Sequence, residues 1–192
     1  MLSLVALLAA YSGFAAAKWG TESSISLAKA STLRAKASRA DLEASVTRTF
    51  DSVSFNAWFT AFTAGNKNAE RIAVKRLRPG YRPAFYAWLA TDPAHNPNAP
   101  PGPAYMPQNV IPQEQAAAAH DLRADAAFAR GEDAGVTSDN YVRDTVFLAT
   151  VLFLVGISSH FGVRQGRYAL LAVALALLGF SVVQLLGLAA PP

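Results

Sequence analysis

The sequence contains no cysteine, which excludes disulfides, thiol nucleophiles and cysteine-ligated metals. Histidine is nearly as scarce, with only His95, His120 and His160. None of them has a His-x-x-x-His partner or a carboxylate at metal-ligand spacing, so the usual donors of a metal centre are missing. His120-Asp121 reads as a solvated pair on an alanine-rich helix, and His160 as an interfacial residue rather than a titrating gate. There is no Walker glycine loop, no Gly-x-Ser-x-Gly and no paired-carboxylate motif. With no general acid, base or nucleophile in a recognisable setting, the expectation is a protein that is not an enzyme and carries no cofactor.

Charge is also missing, and its absence is local. Residues 1–17, 145–163 and 168–190 contain no Asp, Glu, Lys or Arg. A spanning helix needs roughly 20 apolar residues, about 17 at the least, because it rises about 1.5 Å per residue across a core about 30 Å thick. Helix is the default conformation there because lipid cannot satisfy backbone polar groups. Three transmembrane helices are therefore expected. The first run reads as a signal anchor rather than a cleaved signal peptide: Ala15 and Ala17 have cleavage-site spacing, but a basic segment ahead of them is absent. Trp19, Tyr141 and Tyr168 suit aromatic belts at the interfaces. Orientation follows from residues 164–167, a short basic loop whose Arg164 and Arg167 should be cytoplasmic. The stretch 18–144 would then lie outside the cytoplasm, although Lys18, Lys29, Arg34 and Lys36 pull the other way.

What remains is an 18–144 region that reads as helical throughout, giving an all-α fold class. Hydrophobic residues make up 52% of the chain and charged residues 16%, with a net charge of +4. That balance is more apolar than an ordinary soluble domain and does not mark a nucleic-acid binder. Leu42, Val46, Phe50 and Val53 recur at helical spacing, and Phe55, Trp58, Phe59 and Phe62 continue the stripe. With Phe85 and Trp88 these aromatics are the expected core. Gly65-Asn66 is a stop signal. Shorter helices are expected over 68–77 and 84–90, the second entered through Pro83. Residues 91–112 form a Pro-rich strap, whose seven prolines from Pro93 to Pro112 exclude helix and favour extended chain. It reads as a connector over the region's own helices, with Tyr105 and Met106 as anchors should it dock a partner instead. Beyond it, 113–130 is a strong helix former that Gly131 and Gly135 weaken. It continues into the second span either as one kinked helix or as two, and pairs with the first helix as an antiparallel stalk.

Two residue sets are candidate contact sites. Lys67, Arg71 and Lys75 fall four residues apart on one helix face, with Arg76, Arg78 and Arg82 close by. Such a stripe can meet anionic lipid headgroups or an acidic partner, or be a solvated face. In the spans, Ala9, Gly13 and Ala17 form a small-residue ladder, and Ala172 with Ala176 another, the pattern that lets helices pack closely in lipid. Without charge inside the spans, an ion-coupled transporter is not expected.

Arg78-Pro79-Gly80-Tyr81-Arg82-Pro83-Ala84-Phe85 through Trp88-Leu89-Ala90-Thr91-Asp92-Pro93, together with Asn140-Tyr141 leading into Leu152-Phe153 and Gly156-Ile157-Ser158-Ser159, resembles segments of uncharacterised bacterial three-span membrane proteins. The layout is alike: an N-terminal span, a helical domain and a C-terminal spanning hairpin. The resemblance implies the bacterial inner membrane and brings no activity, cofactor or site residue. The expected role is a non-catalytic assembling, accessory or scaffold subunit acting through the helical domain. Its partners would be the lipid bilayer and either further copies of itself or a membrane complex. The alternative is an oligomeric channel with that domain as vestibule.

Three spans put the two ends of the chain on opposite sides of the membrane. In this cysteine-free chain, single cysteines at Ser3 and Ala190 should label from opposite faces of sealed vesicles. Labelling of both from one face removes the three-span topology.

Overall fold

The computed structural model describes residues 2–158 and 164–192. Among them the chain is all helix and turn. The elements are α1 (Leu2–Thr63), α2 (Lys67–Arg76), α3 (Arg82–Leu89), a short 3-10 turn (Pro103–Tyr105), α4 (Pro112–Ser158) and α5 (Arg164–Gly187). By length and composition α1, α4 and α5 can each cross a membrane. Only 11% of the apolar window of α5 is buried within the protein, so lipid is the natural solvent for the rest.

Several expected boundaries move. Residues 17 and 18 fall inside α1, which runs unbroken from its apolar start to Thr63, and residues 144 and 145 fall inside the single helix α4. Lys18 and Asp144 change the solvent a helix prefers, not its backbone. Residues 164–167 are the first turn of α5 rather than a loop, and the helix ends at Gly187 rather than 190. Residues 159–163, with Ser159 and His160, lie outside the described residues. Pro112 opens α4 instead of excluding helix, because a first-turn residue has no intrahelical use for its N–H.

The chain forms two compact units, Met1–Thr32 with Arg123–Pro192, and Leu33–Leu122. In the first, α1 and α4 run antiparallel. Ser12 Oγ donates to the Tyr141 carbonyl at 3.1 Å, Ser138 Oγ to the Ala16 carbonyl at 2.9 Å and Ser23 Oγ to the Gly131 carbonyl at 2.7 Å. The partner's number falls as the α1 number rises. Small residues allow this approach: a Cβ on Gly131 would meet Leu27 side-chain carbons at 2.8 Å and its backbone nitrogen at 3.2 Å. Ala30 on α1 and Ala124, Ala127 and Ala134 on α4 are buried in the same unit. Lower down, Val5, Leu148, Val151 and Ala174 join all three helices in one apolar cluster, and Ala15, Ala16 and Tyr141 form a second, against Leu185. Trp19 Nε1 and the Tyr141 hydroxyl both donate to the Ala189 carbonyl, at 3.3 and 3.0 Å, and latch the end of α5.

In the second unit the core is aromatic. Trp58, Phe85 and Trp88 are buried with Leu77 and Tyr81, and Trp58 meets Phe85 edge-on at 4.9 Å. Phe59 and Phe62 do not belong to this core. They are 46% and 40% exposed, with Phe62 only stacked on the outer side of Trp58 at 5.1 Å. Gly65 adopts φ +67°, which ends α1, and Asn66 Oδ1 caps α2 by accepting from the Ala69 N–H at 3.0 Å. The strap lies on this unit's own helices: Trp88 Nε1 donates to the Pro100 carbonyl at 2.7 Å, Pro103 is buried and Met106 packs on the core, whereas Tyr105 is 71% exposed.

A helical Gly→Ala change ordinarily gains about 1 kcal/mol, but overpacking costs about 1–3 kcal/mol. Gly131→Ala should therefore lower the thermal midpoint in detergent, whereas Gly179→Ala, with open space at its Cβ, should not. A midpoint raised by Gly131→Ala would show that the two helices do not approach as described.

Candidate functional site

The second unit leaves apolar surface bare. Leu42, Val46, Phe50 and Val53 are 68%, 70%, 52% and 63% exposed, and helical geometry puts all four on one stripe. They are not continuous with the aromatic core, as the shared spacing had suggested. Ala37, Ala44, Asp51 and Trp58, on the opposite face of α1, are the residues that pack inward. This helix is thus apolar on two faces, of which its own unit covers one. Beside the stripe runs a groove of about 560 Å³, floored by Phe50, Val53 and Ala57 of α1 and by Ile72 and Ala73 of α2, with Arg76 at its rim. Two arginines on this stretch of α1 are paired. Arg39 meets Glu43 at 3.3 Å, and Arg48 meets both Glu114 at 2.8 Å and Asp41 at 3.6 Å.

The basic set does not come together as one anion site. Arg78 is turned inward, donating from Nη2 and Nε to the two carboxylate oxygens of Asp51 at 2.7 and 3.1 Å. Arg82 folds back on the carbonyls of Leu77 and Lys75 at 3.2 and 3.0 Å. Lys67 meets Glu70 at 2.9 Å and lies 5.6 Å over the Phe62 ring, and Arg71 donates to Asn68 at 2.9 Å. Lys75 and Arg76 are exposed on α2. The two-pronged bond to Asp51 holds the Arg78 guanidinium above its ordinary pKa. Burial, with the nearby Asp51 charge adding to it, pushes the Tyr81 phenol up to about 12, so it stays neutral under this ion pair.

The span ladder is also displaced from its expected place. Within the protein, α1 packs through Ser12, Ala15 and Ala16. Ala9 and Gly13 are only half-buried, Ala17 is exposed, and a Cβ on Gly13 would meet nothing within 4 Å. On α5 the buried alanine is Ala174, while Ala172 and Ala176 are exposed. His95 Nδ1 lies 3.0 Å from Asp92 on the surface. Among the described residues no three of His, Cys, Asp and Glu are placed to hold a metal ion together.

Two acidic residues escaped the pattern reading. Asp51 occupies the buried seven-residue series between Ala44 and Trp58, and that interruption of apolar positions is the signal that could have marked it. Asp144, taken as a span boundary, is wholly buried and accepts from Ser12 Oγ at 3.2 Å. Comparison with known protein families, with characterised proteins and with solved structures finds no match.

Breaking a buried ion pair from one side costs about 3–5 kcal/mol, because the remaining charge loses its partner. Asp51→Ala should therefore destabilise the protein by about that amount, and the double change Asp51→Leu with Arg78→Met by clearly less. Urea titration checks this, and equal losses in the two proteins would mean that the pair has no coupling.

Proposed function

We propose that this chain is a non-catalytic assembling subunit of a membrane, docking a second copy of itself through the Leu42–Val53 stripe. The exposure of those four large apolar side chains carries the reading. A stripe about 16 Å long on a helix whose other face is already packed has no further use for its own unit. Arg39 and Arg48 on the same stretch of α1 are paired within the chain, which favours an apolar partner over a strongly charged one. A second copy fits, because a two-fold axis brings one such stripe against its equal. The adjoining groove with Phe50 and Ile72 extends the surface that a partner helix would cover.

The proposed location is the bacterial inner membrane, with residues 33–122 outside the cytoplasm. The resemblance supports the first part, and the pair Arg164 and Arg167 supports the second. The open Gly13 face of α1 offers a further helix contact within lipid.

Mass measured in native nanodiscs tests the proposal. The wild type should be an oligomer that Val46→Glu dissociates while secondary structure is retained. Gly13→Leu, measured alongside, shows whether the span face contributes. A strictly monomeric wild type, or an oligomer indifferent to Val46→Glu, overturns docking through the stripe. A closed ring around a central axis would instead favour the channel.

A further inference from the structure

The first unit contains two apolar clusters in succession. Along α1, residue 12 lies between Leu8–Ala9 of one and Ala15–Ala16 of the other; along α4, residue 144 lies between Leu148 and Tyr141; along α5, residue 181 lies between Leu178 of the first and Leu188 of the second, with Leu185 packed against both. Those three positions are Ser12, Asp144 and Ser181, and all are 0% exposed. One polar layer, with one residue from each helix, therefore lies where the two clusters meet at Leu185.

The layer is not satisfied by its own hydrogen bonds. Ser12 Oγ has a single proton, shared between the Tyr141 carbonyl at 3.1 Å and Asp144 Oδ2 at 3.2 Å. Asp144 Oδ1 and Ser181 Oγ have no partner. Ser181 stands apart from the usual habit of a helical hydroxyl. Thr21, Ser24, Thr137 and Thr150 all donate to the carbonyl four residues back, and Ser181 makes no such bond. Buried, unpaired polar atoms call for an occupant.

We propose that the Ser12–Asp144–Ser181 layer binds one small monovalent cation, with sodium as the fitting case. The available donors are all oxygens: the Asp144 carboxylate and the two serine hydroxyls. Such hard ligands select alkali or alkaline-earth ions over transition metals. Asp144 is the layer's one carboxylate, so a monovalent ion balances the charge and a divalent ion would leave an excess. A water molecule could complete the hydrogen bonds but would leave the buried negative charge uncompensated. The Tyr141 carbonyl is already used twice, accepting from Ser12 and from Thr145 at 2.9 Å.

The test is the thermal midpoint of the full-length protein in nanodiscs, titrated with sodium, potassium or N-methylglucamine chloride at constant ionic strength and pH. The wild type should show a saturable rise with sodium, absent with N-methylglucamine. Ser181→Ala should shift the half-saturation concentration at least tenfold upward, and Asp144→Asn should abolish the sodium response. Should Asp144→Asn fail to fold, the wild-type series and Ser181→Ala still decide. Superimposed wild-type curves in all three salts overturn the proposal. A second series, run at several pH values, does the same if the midpoint follows pH and not sodium, which assigns the layer to a proton.

Discussion

The close antiparallel approach of α1 and α4 is the constraint on which the rest of the structure depends. In the first unit it is made by small residues: buried Ala15 and Ala16, Gly131 against Leu27, and serines that donate across to backbone carbonyls. Such contacts bury little apolar area per residue. They act by bringing backbones together, so that dispersion and directional hydrogen bonds hold a single register. A larger residue on either facing surface would separate the helices over several turns.

That register decides which side chains face inward, and two acids are consequences of it. In the second unit Asp51 takes a core position and draws Arg78 in from a segment that otherwise looks like exposed basic surface. In the first, Asp144 is level with Ser12, five residues inside the charge-free opening run. The apolar stretches of the two helices are therefore staggered by about 7 Å along their axes. A carboxylate at the formal edge of one span thus comes to lie inside the helix bundle. Each helix alone keeps its acids and bases outside the apolar run, but packing brings the Asp144 carboxyl level with Ser12 of the other helix.

The candidate site was legible in part. The Leu42–Val53 spacing identifies an apolar stripe, but periodicity cannot distinguish a stripe that packs from one that waits for a partner. Both faces of α1 are apolar, so the pattern gives no direction to the core. The same ambiguity moved the packing face from Ala9, Gly13 and Ala17 to Ser12, Ala15 and Ala16, since small residues occupy both. Lys67, Arg71 and Lys75 do share a face, yet Arg78 and Arg82 are diverted by a carboxylate and by carbonyls that no short-range spacing reveals.

What the sequence determined by itself is everything set by short-range chemistry. Charge-free length makes three helices fit to cross a membrane, glycine with a left-handed backbone ends α1 at Gly65, and proline opens α3. These depend on the solvent a segment prefers and on the φ angles its residues allow. Only the tertiary structure decided the rest: the pairing of Arg78 with Asp51, the continuity of α1 and α4 through their changes of composition, the exposed stripe, and the polar layer of Ser12, Asp144 and Ser181. The physical reason is that packing elsewhere decides which face of a helix stays bare, and that the ion pair and the polar layer join residues far apart in the chain. Their meeting is fixed by helix register, which is a property of the packed helices and not of any one segment.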